Sequence, residues 1–269
     1  SDGRVSPAEA IEWFARQGHD FLAITDHNIV TPLPDGAPLT LIPGSEISAH
    51  RGDVDYHVVA LGITKMPQTH DSDPQAIINA VNAAGGVAII AHPYWHDHTL
   101  EDLRQLRDHV GIEIFNTSCW LEIQKGHSLV HWDLLLRRGH HAWGFATDDC
   151  HWRIPDYGKG WVMVRAPENT PEAILAALRA GHFYASMGPE IHDVALDGRE
   201  VTVRCSPARS VYVTGGYNYC PNAVHAWDGK PLTEVTVQLH PRQTYFRVEV
   251  VDFEGRSAWT QPVWVEPAS

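Results

Sequence analysis

Short apolar runs alternate along the chain with longer segments of helical periodicity. Each run is only five to eight residues long, which is typical of strands buried on both faces of a parallel sheet. Several runs are separated by a helical segment, an order that predicts an α/β protein with a closed or nearly closed β/α barrel of seven strands. The seven runs are residues 21–25, 39–43, 56–63, 87–91, 111–115, 142–147 and 160–164.

Helix start and stop signals flank the periodic segments. The first helix is predicted from Ser6 as N-cap, a proline at the first helical position and Gly18 as the stop. The same signals recur in segments 72–86 and 170–181, and a further helix is predicted in 128–139.

The pattern changes after residue 187 to alternating apolar and polar positions with no helical segment. This alternation, interrupted by Gly, Pro and Asn, predicts a small antiparallel β domain, sandwich-like in form. We therefore predict a barrel domain at 1–187 and an all-β domain at 188–269. The alternating segments are 201–206, 210–215, 234–239, 245–253 and 262–266.

Composition narrows the class of protein. The 269 residues, 43% hydrophobic and 20% charged, are typical of a soluble globular chain. The net charge of −13 argues against nucleic acid or an anionic membrane as partner, and no apolar stretch approaches the roughly 20 residues of a membrane span.

The cysteines, at 119, 150, 205 and 220, form neither a zinc motif nor a disulfide framework. We expect a cytoplasmic location. Because the sequence begins with Ser, it is also compatible with the earlier removal of an N-terminal signal peptide. The oligomeric state is left open.

Carboxylates and imidazoles follow the predicted strands. Asp26 and His27 come after the first run, and His92 follows "VAIIA". Functional groups of β/α barrels gather at the C-terminal ends of the strands. A turn would explain Asp or Asn at one such position, but it predicts His only occasionally. The recurrence therefore favours a metal site, and mixed His and carboxylate ligands suit Zn²⁺, Mn²⁺ or Fe²⁺.

Seven motifs of the chain resemble, in order, those of the polymerase and histidinol phosphatase (PHP) superfamily. A nearer resemblance, through "AIEWFARQGHDFLAITDHN" and "GHFYASMGP", is to the branch that includes carbamate-ester (carbaryl) hydrolases. The resemblance implies a distorted seven-stranded barrel that binds two to three divalent metal ions. The motifs are "SDGRVSPAEAI", "FLAITDHN", "PGSEIS", "HVVALG", "AIIAHP", "IEIFN" and "ATDDCH".

Carried over by motif, the resemblance assigns the ligands. Glu46 would bridge two metals, and one of these would be completed by His57 and His92. Asp149 would hold the other metal of Glu46. The third metal would be bound by Asp2, His27 and His151.

Two acidic residues are expected to support ligands without binding metal. Asp26 points away from His27 in an extended chain, and in "DDCH" the resemblance makes Asp149 the ligand, which leaves Asp148. The family carries an H-x-H pair shortly before "SDG", and this sequence begins at "SDG". We read this as an N-terminal cut, with a degenerate site as the alternative.

Candidate substrate-binding residues are less specific. Arg153 and Lys159 are candidates for meeting a substrate anion, with surface solvation as the competing interpretation. Trp95 and Trp120 follow strand ends and are candidates for a pocket wall, with core packing as the alternative. The histidines at 96, 98, 140 and 141 match no motif and are expected on the surface.

The implied reaction is hydrolysis of a small-molecule substrate by a metal-activated hydroxide. Glu46, as the metal bridge, would be central to catalysis, and His27 or His151 would protonate the leaving group. Phosphoesterase is the favoured activity, because it is the superfamily's commonest. Hydrolysis of carboxyl esters or carbamates on the same site is one alternative. A non-catalytic metal-binding or ligand-binding protein, if the H-x-H pair is absent, is the other.

Overall fold

The computed structural model describes residues 2–69, 72–217 and 222–267. The helices within these ranges are α1 (Pro7–Arg16), α2 (Pro74–Ala83), α3 (Leu100–Arg104), α4 (Thr117–Ile123), α5 (Leu129–Arg137) and α6 (Pro171–Ala180). The strands of the first half are β1 (Phe21–Ile24), β2 (Thr40–Arg51), β3 (Val54–Leu61), β4 (Val87–Ile90), β5 (Gly111–Asn116), β6 (Trp143–Thr147), β7 (Trp161–Val164) and β8 (Phe183–Ser186). The later strands are β9 (Ile191–Asp197), β10 (Glu200–Ala208), β11 (Ser210–Thr214), β12 (Ala223–His225), β13 (Leu232–Gln238), β14 (Tyr245–Val251), β15 (Ser257–Thr260) and β16 (Val263–Trp264). None of the described helices combines the length and apolar character that crossing a bilayer requires.

The predicted helix caps are confirmed. Ser6 caps α1 by accepting the backbone N–H of Glu9, whose carboxylate accepts the Ser6 N–H at 2.8 Å. The side chains of Asp73 and Thr170 likewise accept backbone N–H groups at the starts of α2 and α6, without the reciprocal bond, and each is followed by a proline. These short local signals fix where the helices start because they satisfy N–H groups that have no partner within the helix.

Strands β1 to β6 form one curled sheet in chain order. The prediction of parallel strands is wrong for β3, which is antiparallel to both β2 and β4. A two-residue loop, Gly52–Asp53, joins β2 to β3 with Arg51 paired to Val54, and Gly52 has φ +60°. Such a tight loop with Gly first is typical of a β-hairpin, so it forces β3 to run backwards.

The seven-stranded barrel is also not what the structure contains. All seven predicted strands are present, but β7 pairs with β8 in a second sheet and does not close the first one. The curled sheet is therefore an open half-barrel. Between β1, β7, α1 and α6 lies a cavity of about 1140 Å³. Because the cavity borders β1, all four apolar residues of this strand remain half-buried.

Two antiparallel sheets form the rest of the described structure. One has the order β13-β10-β9, and the other has the order β12-β11-β14-β15-β8-β7, with β16 paired to β14. Buried valines from both sheets share one hydrophobic cluster, among them Val201, Val203, Val211 and Val248. Since β7 and β8 precede residue 188 and yet belong to the second sheet, that sheet draws on both sides of this boundary. The division into domains at 1–187 and 188–269 stays a prediction.

An ion pair connects the half-barrel to the second sheet. The side chain of Arg247, on β14, is 5% exposed, and its guanidinium donates two hydrogen bonds of 2.8 Å to Asp133 on α5. The guanidinium also lies 5.2 Å from the centre of the Trp132 ring. A buried guanidinium is costly unless a carboxylate accepts its hydrogen bonds, so this contact fixes α5 against β14.

We expect Asp133→Ala to lower the free energy of unfolding by about 2 kcal/mol, because it leaves a buried guanidinium without its two hydrogen bonds. Chemical denaturation followed by circular dichroism measures the change. Glu12→Ala is the matched control: its pair with Arg16 lies on an exposed face of α1, and its removal should cost no more than about 0.5 kcal/mol. Equal stabilities of the two variants would mean that the contact does not hold the sheets together.

Candidate metal centre

The reversed strand brings the first candidate ligands together. On the paired strands β2 and β3, Ser48 lies opposite His57, and Glu46 lies opposite Val59. Because β3 runs backwards, the start of this strand reaches the same edge of the sheet as the C-terminal ends of its neighbours. His57 therefore faces His92, which follows β4, and the two rings lie 5.2 Å apart between their centres.

Glu46 lies between these two imidazoles. Its Oε1 is 2.6 Å from His57 Nδ1 and 3.0 Å from His92 Nε2, and the two nitrogens are 3.4 Å apart. The side chains of Glu46 and His92 are 6% and 4% exposed. Ligand atoms about 2.0–2.2 Å from a tetrahedral zinc ion would be about 3.3–3.5 Å from one another, so small adjustments of these three groups would accommodate a cation.

The negative charge of Glu46 and the positive charge of protonated His92 stabilise each other. Burial alone would raise the pKa of Glu46, but the hydrogen bonds with His57 and His92 outweigh it and hold that pKa well below its usual range. Burial lowers the pKa of His92, and the hydrogen bond with Glu46 and the charges of Glu113 and Asp149 outweigh it, raising the pKa to about 9. In the absence of a cation, a proton on His92 thus balances the Glu46 carboxylate.

Asp149 adds a second carboxylate beside Glu46. It follows β6 with a left-handed φ of +51°, and its Oδ2 is 4.0 Å from His92 Nε2. A carboxylate oxygen of Glu46, a ring nitrogen of His92 and a carboxylate oxygen of Asp149 all lie within 4.8 Å of one another. Burial, and after it the charge of Glu46, raise the pKa of Asp149 well above its usual range. A divalent cation between the carboxylates would remove this repulsion, so the group fits a metal.

A third group gathers at a more exposed position. Oδ2 of Asp2 is 3.5 Å from His151 Nε2, and Oδ1 of Asp2 is 3.9 Å from His27 Nε2. The backbone N–H of Arg4 donates to the His151 carbonyl at 2.9 Å, which holds the start of the chain beside the loop after β6. The expected trio of Asp2, His27 and His151 is therefore brought together.

Local hydrogen bonds place His27 beside Glu46. These two residues form an isolated parallel bridge. Asn28, at φ +56°, donates its N–H to the Glu46 carbonyl at 2.9 Å, and its Oδ1 accepts the N–H of Ser48 at 2.9 Å. Asn tolerates this left-handed conformation better than most residues, so the end of "TDHN" serves as both a turn and a support for the site.

Asp26 and Asp148, the two acids expected to support ligands, are next to ligands in the chain and accept hydrogen bonds from other residues. Asp26 accepts the hydroxyl hydrogen bond of Thr31. Asp148 accepts the hydroxyl of Thr117 and the N–H groups of Lys159 and Gly160, each at 2.9 Å. Asp148 thus anchors the loop that closes over the end of β6. Its effect on a metal stays a prediction.

The four candidate substrate-binding residues lie in different surroundings. Trp95 is 39% exposed, with its ring centre 5.2 Å from that of His92 and 6.1 Å from that of His57, so it lies at the rim of the site. Trp120 packs against the hydrophobic core with its ring 5.8 Å from that of Phe115. Arg153 donates to Asp2 Oδ2 at 2.6 Å, and the backbone of Lys159 is held by Asp148.

Sequence reasoning missed the residues that hold the ligands in place. Buried Glu113 accepts the backbone N–H of His92 at 2.8 Å and the side-chain N–H of Asn116 at 2.9 Å. Asn116 also donates to Asp149 at 3.1 Å. Fully buried Asp156 accepts the His151 N–H at 2.9 Å. The sequence does contain a sign of the role of Glu113, because it is a single acid inside the apolar run "GIEIF". A carboxylate buried in such a strand requires hydrogen-bond donors around it.

The surface assignment of the unmatched histidines is wrong for His98, which is buried, and His96 and His140 are only half-buried. His98 is 3% exposed and bonds through Nε2 to the Asp55 carbonyl at 2.8 Å. His96 is half-buried and has a ring nitrogen within 4.8 Å of nitrogens of His57 and His92. His141 is exposed and stacks on a tryptophan ring. The described cysteines, Cys119, Cys150 and Cys205, are free, and Cys220 lies outside the described residues.

One known structure shares this arrangement of sheets. A two-domain protein from Bacteroides vulgatus ATCC 8482, described as containing a predicted PHP-like metal-dependent phosphoesterase, is similar with a TM-score of 0.58 and 18% identity, over 94% of this chain and 88% of that one. An amidohydrolase from Chromobacterium violaceum matches with a TM-score of 0.44 and 17% identity, over 56% of this chain and 84% of that one. No protein-family model and no curated protein matches the sequence. The first likeness shows the mixed α/β fold with its additional antiparallel sheets.

We expect metal affinity to depend on pH through His92. With a pKa of about 9 without metal, His92 carries a proton at pH 7, and this proton must leave before Nε2 can bind a cation. The apparent affinity for zinc should therefore rise about tenfold per pH unit between pH 6 and 8.5. Calorimetric titration in buffers of different ionisation enthalpy counts the protons released. His92→Gln should release about one proton fewer, and an affinity independent of pH would contradict the assignment.

Proposed function

We propose that this protein is a metal-dependent hydrolase of phosphoesters. The observation that carries the proposal is the position of Glu46, whose buried carboxylate contacts two imidazoles and lies next to Asp149. Such a carboxylate is placed to serve two cations at once. Paired cations bridged in this way are a recurrent device for hydrolysing phosphate esters.

The donor set suggests which residues hold each cation. Glu46, His57 and His92 would hold one, and Glu46 with Asp149 would contribute to a second. The exposed trio of Asp2, His27 and His151 would hold a third. Divalent cations, when bound, would lower the pKa of a water molecule in the site. They would also stabilise the negative charge that develops on the oxygens of the scissile group.

The protein's own residues would bind and orient the substrate around this centre. Arg153, 41% exposed beside Asp2, offers a fixed guanidinium to an anionic ester oxygen. His27 and His151 reach solvent, with side chains 31% and 18% exposed, and either would protonate a leaving group when it is not bound to the third cation. Lys159 is a second candidate for the substrate anion.

The open half-barrel gives this centre a substrate cavity. The cavity of about 1140 Å³ is lined by Asp2, His27, Glu46, Asp149 and His151, and its walls continue along apolar residues of β1, β7 and α6. Polar groups at one end and apolar walls beyond them suit a phosphate joined to a larger apolar or aromatic group.

Two considerations favour phosphoesters over the alternatives. The structural neighbour from Bacteroides vulgatus is described as containing a predicted phosphoesterase, and an arginine lies beside the third group of ligands. Hydrolysis of carboxyl esters or carbamates on the same site remains the second candidate, supported by the apolar cavity walls and the rim position of Trp95. The nearer resemblance to carbamate-ester hydrolases stays a prediction.

Removal of metal should abolish the activity. We expect prolonged chelation to eliminate turnover, and Zn²⁺ or Mn²⁺ to restore it. The assay compares phosphomonoesters, phosphodiesters, carboxyl esters and carbamates that share one chromogenic leaving group. A preference for carbamates would select the second candidate, and full activity in the metal-depleted protein would contradict both. Metal binding without turnover of any of them would support a non-catalytic protein.

Glu46→Gln should affect two cations together. Glutamine keeps the size of the side chain but removes the charge that offsets two cations. We expect it to lower metal content at two positions and to reduce turnover at least 100-fold, about the loss from removing one charged catalytic partner. Elemental analysis measures metal content beside turnover. His57→Ala should empty mainly one position, and Glu122→Gln, the same chemical change on an exposed part of α4, should alter neither. Full metal content in Glu46→Gln would refute the shared carboxylate.

A further inference from the structure

His96 matches no motif that predicts a metal ligand, yet it lies beside two of the candidate ligands. It follows β4 in the turn "HPYWHDH", in which the N–H groups of Trp95 and His96 donate to the His92 carbonyl at 3.0 and 3.4 Å. This turn brings the side chain of His96 back over His92. The ring centres of His96 and His92 are 5.0 Å apart, and those of His96 and His57 are 4.8 Å apart.

The ring is held firmly in this position. His98 stacks against it at 5.1 Å with an angle of 18° between the planes, and His98 is itself fixed by its bond to the Asp55 carbonyl. Trp95 packs edge-on against the same ring at 4.8 Å. A ring so confined has little rotational freedom to lose on binding a ligand.

His96 nevertheless has a buried nitrogen without a partner among the described residues. Its Nε2 is inaccessible to solvent and makes no hydrogen bond. A buried ring nitrogen left without a hydrogen bond is unfavourable, and binding a metal ion is one way in which an imidazole nitrogen gains a partner.

We propose that His96 is a third imidazole ligand of the cation held by Glu46, His57 and His92. Nitrogens of the three histidines lie within 4.8 Å of one another, which small side-chain rotations would convert into a common coordination sphere. The inference rests on the proposed metal centre, and it adds a prediction of which metal ion this centre prefers. Three imidazoles with one carboxylate form a nitrogen-rich set that suits zinc better than manganese or magnesium.

Two competition titrations of the full chain with a chromophoric chelator, one for Zn²⁺ and one for Mn²⁺, test the proposal. His96→Gln should weaken the tightest zinc position at least tenfold and reduce the preference for zinc over manganese. His109→Gln is the control, because this half-buried histidine precedes β5 at the opposite end of the strands. An unchanged zinc affinity in His96→Gln, with loss in His57→Ala, overturns the inference and leaves the proposed function intact. No zinc binding by the unaltered protein overturns the metal centre itself.

A second variant gives a positive signal that does not depend on loss of binding. His96→Cys places a thiolate where the imidazole lies, so the cobalt-loaded variant should show a thiolate-to-cobalt charge-transfer band that the cobalt-loaded unaltered protein lacks. Addition of zinc should bleach this band. Cobalt bound by His96→Cys without the band would overturn the role of His96 as a ligand.

Discussion

The buried carboxylate of Glu46 is the constraint around which the site is arranged. A carboxylate that is 6% exposed is stable only with partners, and His57 and His92 supply them at 2.6 and 3.0 Å. Three strands must meet for this: β2 carries Glu46, β3 must run backwards to present His57, and β4 must end beside them at His92. The hairpin loop at Gly52 therefore contributes to the chemistry of the site as much as any ligand does.

A layer of buried polar residues makes this arrangement rigid. Glu113 accepts hydrogen bonds from the His92 backbone, Asn116 and Thr147, and Asn116 also donates to Asp149. The network links the C-terminal ends of three parallel strands, β4, β5 and β6, of which β4 is followed by His92 and β6 by Asp149. It also brings carboxylates close together, and burial, with the charge of Glu46 adding to it, raises the pKa values of both Glu113 and Asp149. A site with this surplus of carboxylates is suited to divalent cations.

The open side of the half-barrel gives the centre room for a substrate. Because β7 pairs with β8 in the second sheet, a cavity remains beside β1, and five of the candidate ligands line it. The ion pair between buried Arg247 and partly exposed Asp133 holds the second sheet against α5, which keeps these two parts of the structure together. The later β region thus supports the half-barrel through β7, β8 and this contact.

The sequence by itself determined what depends on near neighbours along the chain. The caps of α1, α2 and α6, the seven apolar strands and the acids and histidines after them are local, since each is specified within a few residues. The tertiary structure decided what depends on pairing across the chain: the reversal of β3, the transfer of β7 to another sheet and the burial of His96 and His98. The strands β3 and β7 have short apolar runs like those of their neighbours, and such a run specifies neither the direction of a strand nor the sheet to which it belongs. Histidine occurs both on protein surfaces and in buried polar clusters, and only the turn after β4 brings His96 against His57 and His98.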